Sequence, residues 1–133
     1  MGFLILGLAN IHYEVNGTGP CIIAIHGFTG DLTTWASFVS SAKERYNILS
    51  VDLLGHGLSS SPNDSTRYET DKLVNDLENL LNYLGQSRAH WMGYSFGGRL
   101  ALYAATKLHP RFSSLILESA SPGISDPYAR VAR

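Results

Sequence analysis

The serine at position 95 stands between glycines, in Gly93-Tyr94-Ser95-Phe96-Gly97, and is followed by Gly98 and Arg99. A serine hydroxyl is by itself a weak nucleophile and a weak base. It needs a partner to take its proton and N–H donors to hold the oxyanion that develops. The G-x-S-x-G pattern sets such a serine on a sharp strand-to-helix turn, where side chains two residues away on either side would collide and the N–H groups of the helix start face the reacting centre. The context agrees: Ala89–Met92 reads as a strand and Phe96–Leu108 as a helix. An oxyanion hole on such a turn takes one N–H from the residue after the serine, here Phe96. The other comes from an early strand-to-helix loop, here His26-Gly27-Phe28-Thr29-Gly30, with Phe28 as the donor. His26 reads as a residue that shapes this loop rather than as a base.

Arg99 lies one helical turn past Ser95. A guanidinium grips carboxylates with a two-pronged fork and stays charged at any working pH. On spacing alone, a pocket role and a surface ion pair are evenly matched. Downstream of Ser95 the sole histidine is His109, at the far end of the helix and ~20 Å away. His12 belongs to a first hairpin, His56 to the loop Asp52–Ser59, and His90 to a buried strand. Among the acids, Asp52 is expected to anchor its loop, Glu118 to make a structural hydrogen bond near the end of the last strand, and Asp126 to be solvated.

Strands and helices alternate around these residues. The apolar N-terminal run reads as a strand, since it lacks a basic leader and soon meets Asn10 and His12. Ile11–Val15 is a second short strand, and the turn-rich cluster Asn16–Pro20 suggests a hairpin closing it. Cys21–Ile25 and Tyr46–Val51 are apolar throughout, as strands buried on both faces are. Asp31 can cap a helix that carries Trp35, Phe38 and Val39 on one face. Leu73, Leu77, Leu80, Leu81 and Leu84 recur at helical spacing, with Asp76, Glu78 and Asn79 opposite and Gly85 placed to end the helix. Leu115–Ala120 reads as the last strand. Such alternation implies a parallel sheet with helices on both faces.

With 133 residues, 44% hydrophobic and 16% charged, the chain is sized for one globular domain. A net charge of −1 carries no electrostatic footprint for nucleic acid or for an acidic membrane surface. The single cysteine, Cys21, allows no internal disulfide and fits a reducing compartment, so a cytoplasmic location is expected.

HGF-T-G, DLLGHGLS and GYSFGG, in this order, are similar to the α/β-hydrolase fold superfamily over nearly the whole chain, from about Ile11 to Arg133. A narrower likeness lies in HGFTGD with Trp35, in GYSFGGRLALY, and in LILESASPGI followed by Arg130 and Arg133. These resemble the 2-succinyl-6-hydroxy-2,4-cyclohexadiene-1-carboxylate synthases of menaquinone biosynthesis, lyases that eliminate pyruvate from a polycarboxylated cyclohexene. The resemblance implies an α/β fold and a small polycarboxylate substrate, with no metal or organic cofactor. Ser95 would be the base, the Phe28 and Phe96 N–H groups the oxyanion hole, and Arg99 and Arg133 the carboxylate ligands, with Tyr94 lining the site. Arg130 reads better as a solvated charge. It also implies that residues 1–133 are the N-terminal part of one core domain, ending where a lid would begin. The acid and histidine that follow in the family pattern are not found here, so these residues alone are expected to be inactive. A serine hydrolase acting on an ester or C–C bond, and a non-catalytic binding module, are the other readings.

Overall fold

A computed structural model describes residues 2–6 and 9–121. The most apolar strand lies at the middle of the sheet. β3 (Cys21–Ile25) is buried at all five positions, and only neighbours on both edges and helices on both faces can achieve that. It pairs in parallel with β4 (Asn47–Val51) on one side and β5 (Ala89–Tyr94) on the other. β6 (Phe112–Glu118) continues the parallel set beside β5. β2 (Ala9–Asn16) and β1 (Gly2–Leu6) add an antiparallel pair at the opposite end, giving the order β1-β2-β4-β3-β5-β6.

The expected hairpin at residues 16–20 is not formed. β2 pairs with β1 and β4, and β4 separates it from β3. The turn-rich cluster instead wraps the end of the first helix, with the Thr18 N–H donating to the Lys43 carbonyl at 3.2 Å. The reason lies in the strands: β2 carries polar residues that tolerate a place near the edge, whereas β3 would waste its second apolar face there.

Alternate residues of the central strands feed two cores. Ile22, Ala24, Ile48 and Met92 meet Trp35, together with Phe38 and Val39 of α1 (Ala36–Ala42). Ile23, Ile25, Leu49, Val51, Ala89 and Trp91 meet α2 (Thr70–Tyr83) and α3 (Phe96–Leu108) on the other face. The expected α/β architecture is therefore present, with α1 on one side and α2 and α3 on the other. Asp31 does act as a cap, but of a 3-10 turn, Leu32–Trp35, that leads into α1. Asp76 departs from its expected solvent position: it is buried, and Arg67 grips its two carboxylate oxygens at 2.6 and 3.2 Å. Burial pushes its carboxyl group up, and the guanidinium opposes that shift. Cys21 is buried and its thiol is pushed up to about 11, which leaves it unreactive.

Candidate active site

Adjacent parallel strands β3 and β5 send their next helices to opposite faces of the sheet. A crevice opens at their C-terminal ends, where ligands bind in sheets of this kind. Both candidate segments lie there. Ser95 is the residue between β5 and α3, with φ 53° and ψ −115°, a conformation that non-glycine residues avoid. The surrounding packing enforces it. A Cβ on Gly97 would overlap the carbonyl oxygens of Ile25 and His26, and one on Gly93 would stand 2.5 Å from the Gly97 carbonyl oxygen. The Ser95 N–H donates to the Glu118 carbonyl at 2.9 Å, which ties the turn to the end of β6. Ser95 is exposed, and among the described residues its hydroxyl has no hydrogen-bond partner.

The loop after β3 packs against this turn. A Cβ at Gly27 would lie 3.3 Å from the Tyr94 carbonyl oxygen and 3.4 Å from the Ser95 Cβ. The Phe28 and Phe96 rings meet edge to face at 5.8 Å, so the two expected oxyanion donors belong to touching residues. Phe28 is 69% exposed and Tyr94 is also exposed, giving the crevice an apolar rim.

His26 is fully buried. Its Nδ1–H donates to the Gly27 carbonyl at 2.7 Å, and its Nε2 accepts the Leu53 N–H at 3.1 Å. Both nitrogens are thus committed, and burial pulls its pKa down, against the upward pull of the Gly27 hydrogen bond. It shapes the loop and has no free lone pair to act as a base. Asp52, equally buried, accepts the Leu32 N–H at 2.7 Å, the Leu58 N–H at 2.9 Å and His12 Nδ1–H at 2.7 Å. Its anchoring role was legible in the sequence; its pairing with His12 was not, because no local spacing links residues so far apart. His90 bonds Ser114 across β5 and β6 at 2.7 Å, and His109 begins the 3-10 turn beyond α3. Glu118 contributes its backbone carbonyl, while its side chain is exposed.

Arg99 is exposed on α3 and lines a cavity of about 360 Å³ with Phe96, Leu100 and Tyr103 of the same helix and Thr70 of α2. Among the described residues no carboxylate lies within ion-pair distance of it. Asp126, Arg130 and Arg133 lie outside the described residues.

A strained serine at a strand-to-helix turn, packed against the loop after β3, matches the serine turn of the α/β-hydrolase fold. The family profile described as alpha/beta hydrolase fold matches residues 20–130. The chain belongs to this family. Among α/β hydrolases, it is 35% identical over 118 residues to a Bacillus subtilis (strain 168) protein that bears the provisional name 2-succinyl-6-hydroxy-2,4-cyclohexadiene-1-carboxylate synthase; the match covers 86% of this chain and 43% of that one. It is 28% identical over 119 residues to the 2-(acetamidomethylene)succinate hydrolase of Mesorhizobium japonicum, covering 90% of this chain and 42% of that protein. A solved hydrolase structure from Pseudomonas aeruginosa PA01 superposes with a TM-score of 0.88 at 27% identity, covering 97% of this chain and 49% of that one. The chain thus spans less than half the length of these relatives. Among the described residues no helix is long and apolar enough to cross a membrane.

Proposed function

We propose that this α/β hydrolase relative works as a lyase, eliminating pyruvate from 2-succinyl-5-enolpyruvyl-6-hydroxy-3-cyclohexene-1-carboxylate to give 2-succinyl-6-hydroxy-2,4-cyclohexadiene-1-carboxylate. The carrying observation is Arg99: an exposed cation one turn from the strained serine, with no protein carboxylate to neutralise it among the described residues; the cavity it lines starts at Phe96, next to Ser95, and runs along α3 to Thr106. A site built for neutral esters has little use for that charge, whereas a polycarboxylate needs it. Likeness to the Bacillus subtilis protein points the same way.

In this reading the Ser95 hydroxyl, relieved of its proton, removes the substrate proton α to a carbonyl. The C–H electron pair moves onto that carbonyl as an enolate, held by the Phe28 and Phe96 N–H groups. As the enolate collapses, a C2–C3 double bond forms, the ring double bond shifts from C3–C4 to C4–C5, and the C5–O bond to the enolpyruvyl group breaks. Pyruvate departs as its enolate and takes up the proton that Ser95 first passed to its priming histidine. Ser95 keeps the abstracted proton, so no acyl-enzyme forms. Arg99 holds one substrate carboxylate, Arg133 is assigned another, and Tyr94 lines the site. The chemistry also requires a histidine to prime Ser95 and an acid to orient it. His26 and His56 have both ring nitrogens committed, so that pair is assigned to polypeptide outside the described residues. Residues 1–133 alone are accordingly expected to show negligible turnover.

The test is pyruvate release by the protein at the length its source produces. Ser95→Ala should abolish it. Arg99→Ala should lower kcat/KM by about 10- to 100-fold, the worth of a charge-assisted hydrogen bond. A hydrolase of a neutral ester would lose activity with Ser95→Ala and keep it with Arg99→Ala. The succinate named in the Mesorhizobium relative makes a dicarboxylate hydrolase the second reading, with the same serine attacking a carbonyl. It is marked by trapping of an acyl-enzyme on Ser95. A purely binding protein would hold its ligand as well with Ser95→Ala and turn nothing over.

A further inference from the structure

We infer that His56 is a positioning residue: its ring holds the Phe28–Thr29 peptide, and so the oxyanion loop, in the conformation that faces Ser95. This rests on the reading of Ser95 and the Phe28 N–H as catalytic groups.

The observation begins with a misfit. Residues Gly27–Gly30 form a tight turn closed by the Gly30 N–H donating to the Gly27 carbonyl at 3.1 Å. Thr29, the third residue of this turn, has φ +65°. A positive φ there, with Phe28 before it not in the positive region, marks a type II turn, which normally carries glycine or asparagine at that position. A β-branched threonine is among the residues least suited to it. The type I turn would keep the same closing hydrogen bond and return Thr29 to a negative φ. The two forms differ by rotation of the Phe28–Thr29 peptide. Left to itself, this sequence favours the other turn.

The opposing force comes from a loop distant in the chain. The Thr29 N–H donates to His56 Nε2 at 3.2 Å. The tautomer follows from the other nitrogen, since Nδ1 faces the Leu54 carbonyl at 3.1 Å and must carry the proton. Nε2 is therefore an acceptor, and rotating the peptide would set the Phe28 carbonyl towards a lone pair. The ring itself cannot easily yield. It packs between His26, at 4.9 Å, and Phe28, at 5.7 Å. Its backbone N–H donates to the Leu53 carbonyl at 2.9 Å, and its carbonyl accepts the Ser59 N–H at 3.1 Å. The loop is pinned further by His26 Nε2 at Leu53 and by Asp52 at Leu58. A rigid acceptor thus selects the strained turn and ties it to the loop at 52–59, while Gly27 of the same turn packs on Tyr94 and Ser95; the Phe28 N–H, on the preceding peptide, is held through this anchoring of the turn rather than turned by it.

The test uses the protein at its native length. His56→Phe keeps the aromatic packing and removes the acceptor. His56→Gln keeps an acceptor near the place of Nε2. Loss of a whole oxyanion donor costs about 10²–10³ in kcat, so a loosened one should cost roughly tenfold, with KM changed less than about twofold. His56→Gln should recover most of that loss. The decisive variant adds Thr29→Gly to His56→Phe: glycine takes positive φ freely, so kcat should return. Equal loss in His56→Phe and His56→Gln, or no rescue by Thr29→Gly, would overturn the inference. Hydrogen exchange at the Thr29 amide reads the tether without any activity. It should be slow in the wild type and His56→Gln, and fast in His56→Phe; fast exchange in the wild type would also overturn it. Turnover that survives Ser95→Ala would instead sink the catalytic reading, leaving the exchange result to judge the tether.

Discussion

Asp52 and His12, 40 residues apart in the chain, meet in the interior with His12 Nδ1 2.7 Å from the Asp52 carboxylate. The same carboxylate accepts the backbone N–H groups of Leu32 and Leu58. Three donors thus converge on two oxygens, and they come from β2, from the first residue of the 3-10 turn before α1 and from the loop after β4. A further bond closes the group, the Ser59 hydroxyl donating to the Asp52 carbonyl at 2.6 Å. Asp52→Asn keeps the shape but turns one oxygen into an NH₂ group that faces donors. Each buried donor left unpaired costs about 1–3 kcal/mol. The variant should lower the free energy of unfolding by about 2–3 kcal/mol, read as a fall in the urea midpoint at unchanged m-value. A loss below about 0.5 kcal/mol would show that the carboxylate is not the joint between these segments.

His26 gives the fold a dependence on acid. Burial lowers its pKa in the folded protein below the ordinary value of 6.5. The unfolded chain therefore takes up a proton at pH values where the folded His26 stays neutral. The neutral form's contribution to stability is complete above about pH 6.5, falls as the pH drops below that, and is lost once the pH has passed through the lowered folded value. Nitrogen-15 NMR of the imidazole should show the Nδ1–H tautomer throughout, with a titration midpoint below 6.5. A midpoint at or above the ordinary value would mean that the bonds to Gly27 and Leu53 do not hold the ring neutral.

Where a turn is local, the sequence revealed it. Ser95, its flanking glycines and the loop at 26–30 were legible because the turn needs those residue types at that spacing, and β3 because only a central strand can bury every side chain. What stayed hidden was non-local. Nothing near Asp76 foretells that Arg67 draws it into the interior, since a carboxylate on a helix reads as solvated until its partner is placed. Likewise, the cluster at 16–20 has the composition of a hairpin turn, but strand pairing is decided by the two-sided burial of β3. The His56 contact with Thr29 is hidden twice over, because neither the positive φ of a threonine nor a side chain 27 residues away leaves a local signal.

Gly97 measures how tightly the serine turn is seated. With no side chain, its backbone rests on the carbonyls that end β3. Gly97→Ala would gain helix propensity in α3, worth about 1 kcal/mol at most. Against that stands a methyl group forced into backbone atoms that cannot rotate away; overpacking of this kind costs about 1–3 kcal/mol. The steric term wins. The variant should unfold at a lower urea concentration and at a lower temperature than the wild type. An alanine tolerated without loss in either measurement would show that α3 does not press on β3.

β6 is one of two edge strands of the described sheet that bear exposed apolar side chains, the other being β1 with Phe3 and Ile5. Ile116 is 43% exposed and Leu117 is 39% exposed, and alternation along the strand sends them to opposite faces of the sheet. Neither Lys nor Pro guards the strand, and an apolar edge with free backbone groups invites pairing with another strand. A polypeptide of residues 1–133 studied alone should therefore associate as its concentration rises, read by light scattering on a sizing column. Ile116→Lys places a charge on the edge and should hold the same polypeptide monomeric. Because the side chain is already half in water, the change should alter unfolding free energy by no more than about 0.5 kcal/mol. Association undiminished by Ile116→Lys would place the contact elsewhere, with the β1 edge, where Phe3 and Ile5 are exposed, the next surface to vary.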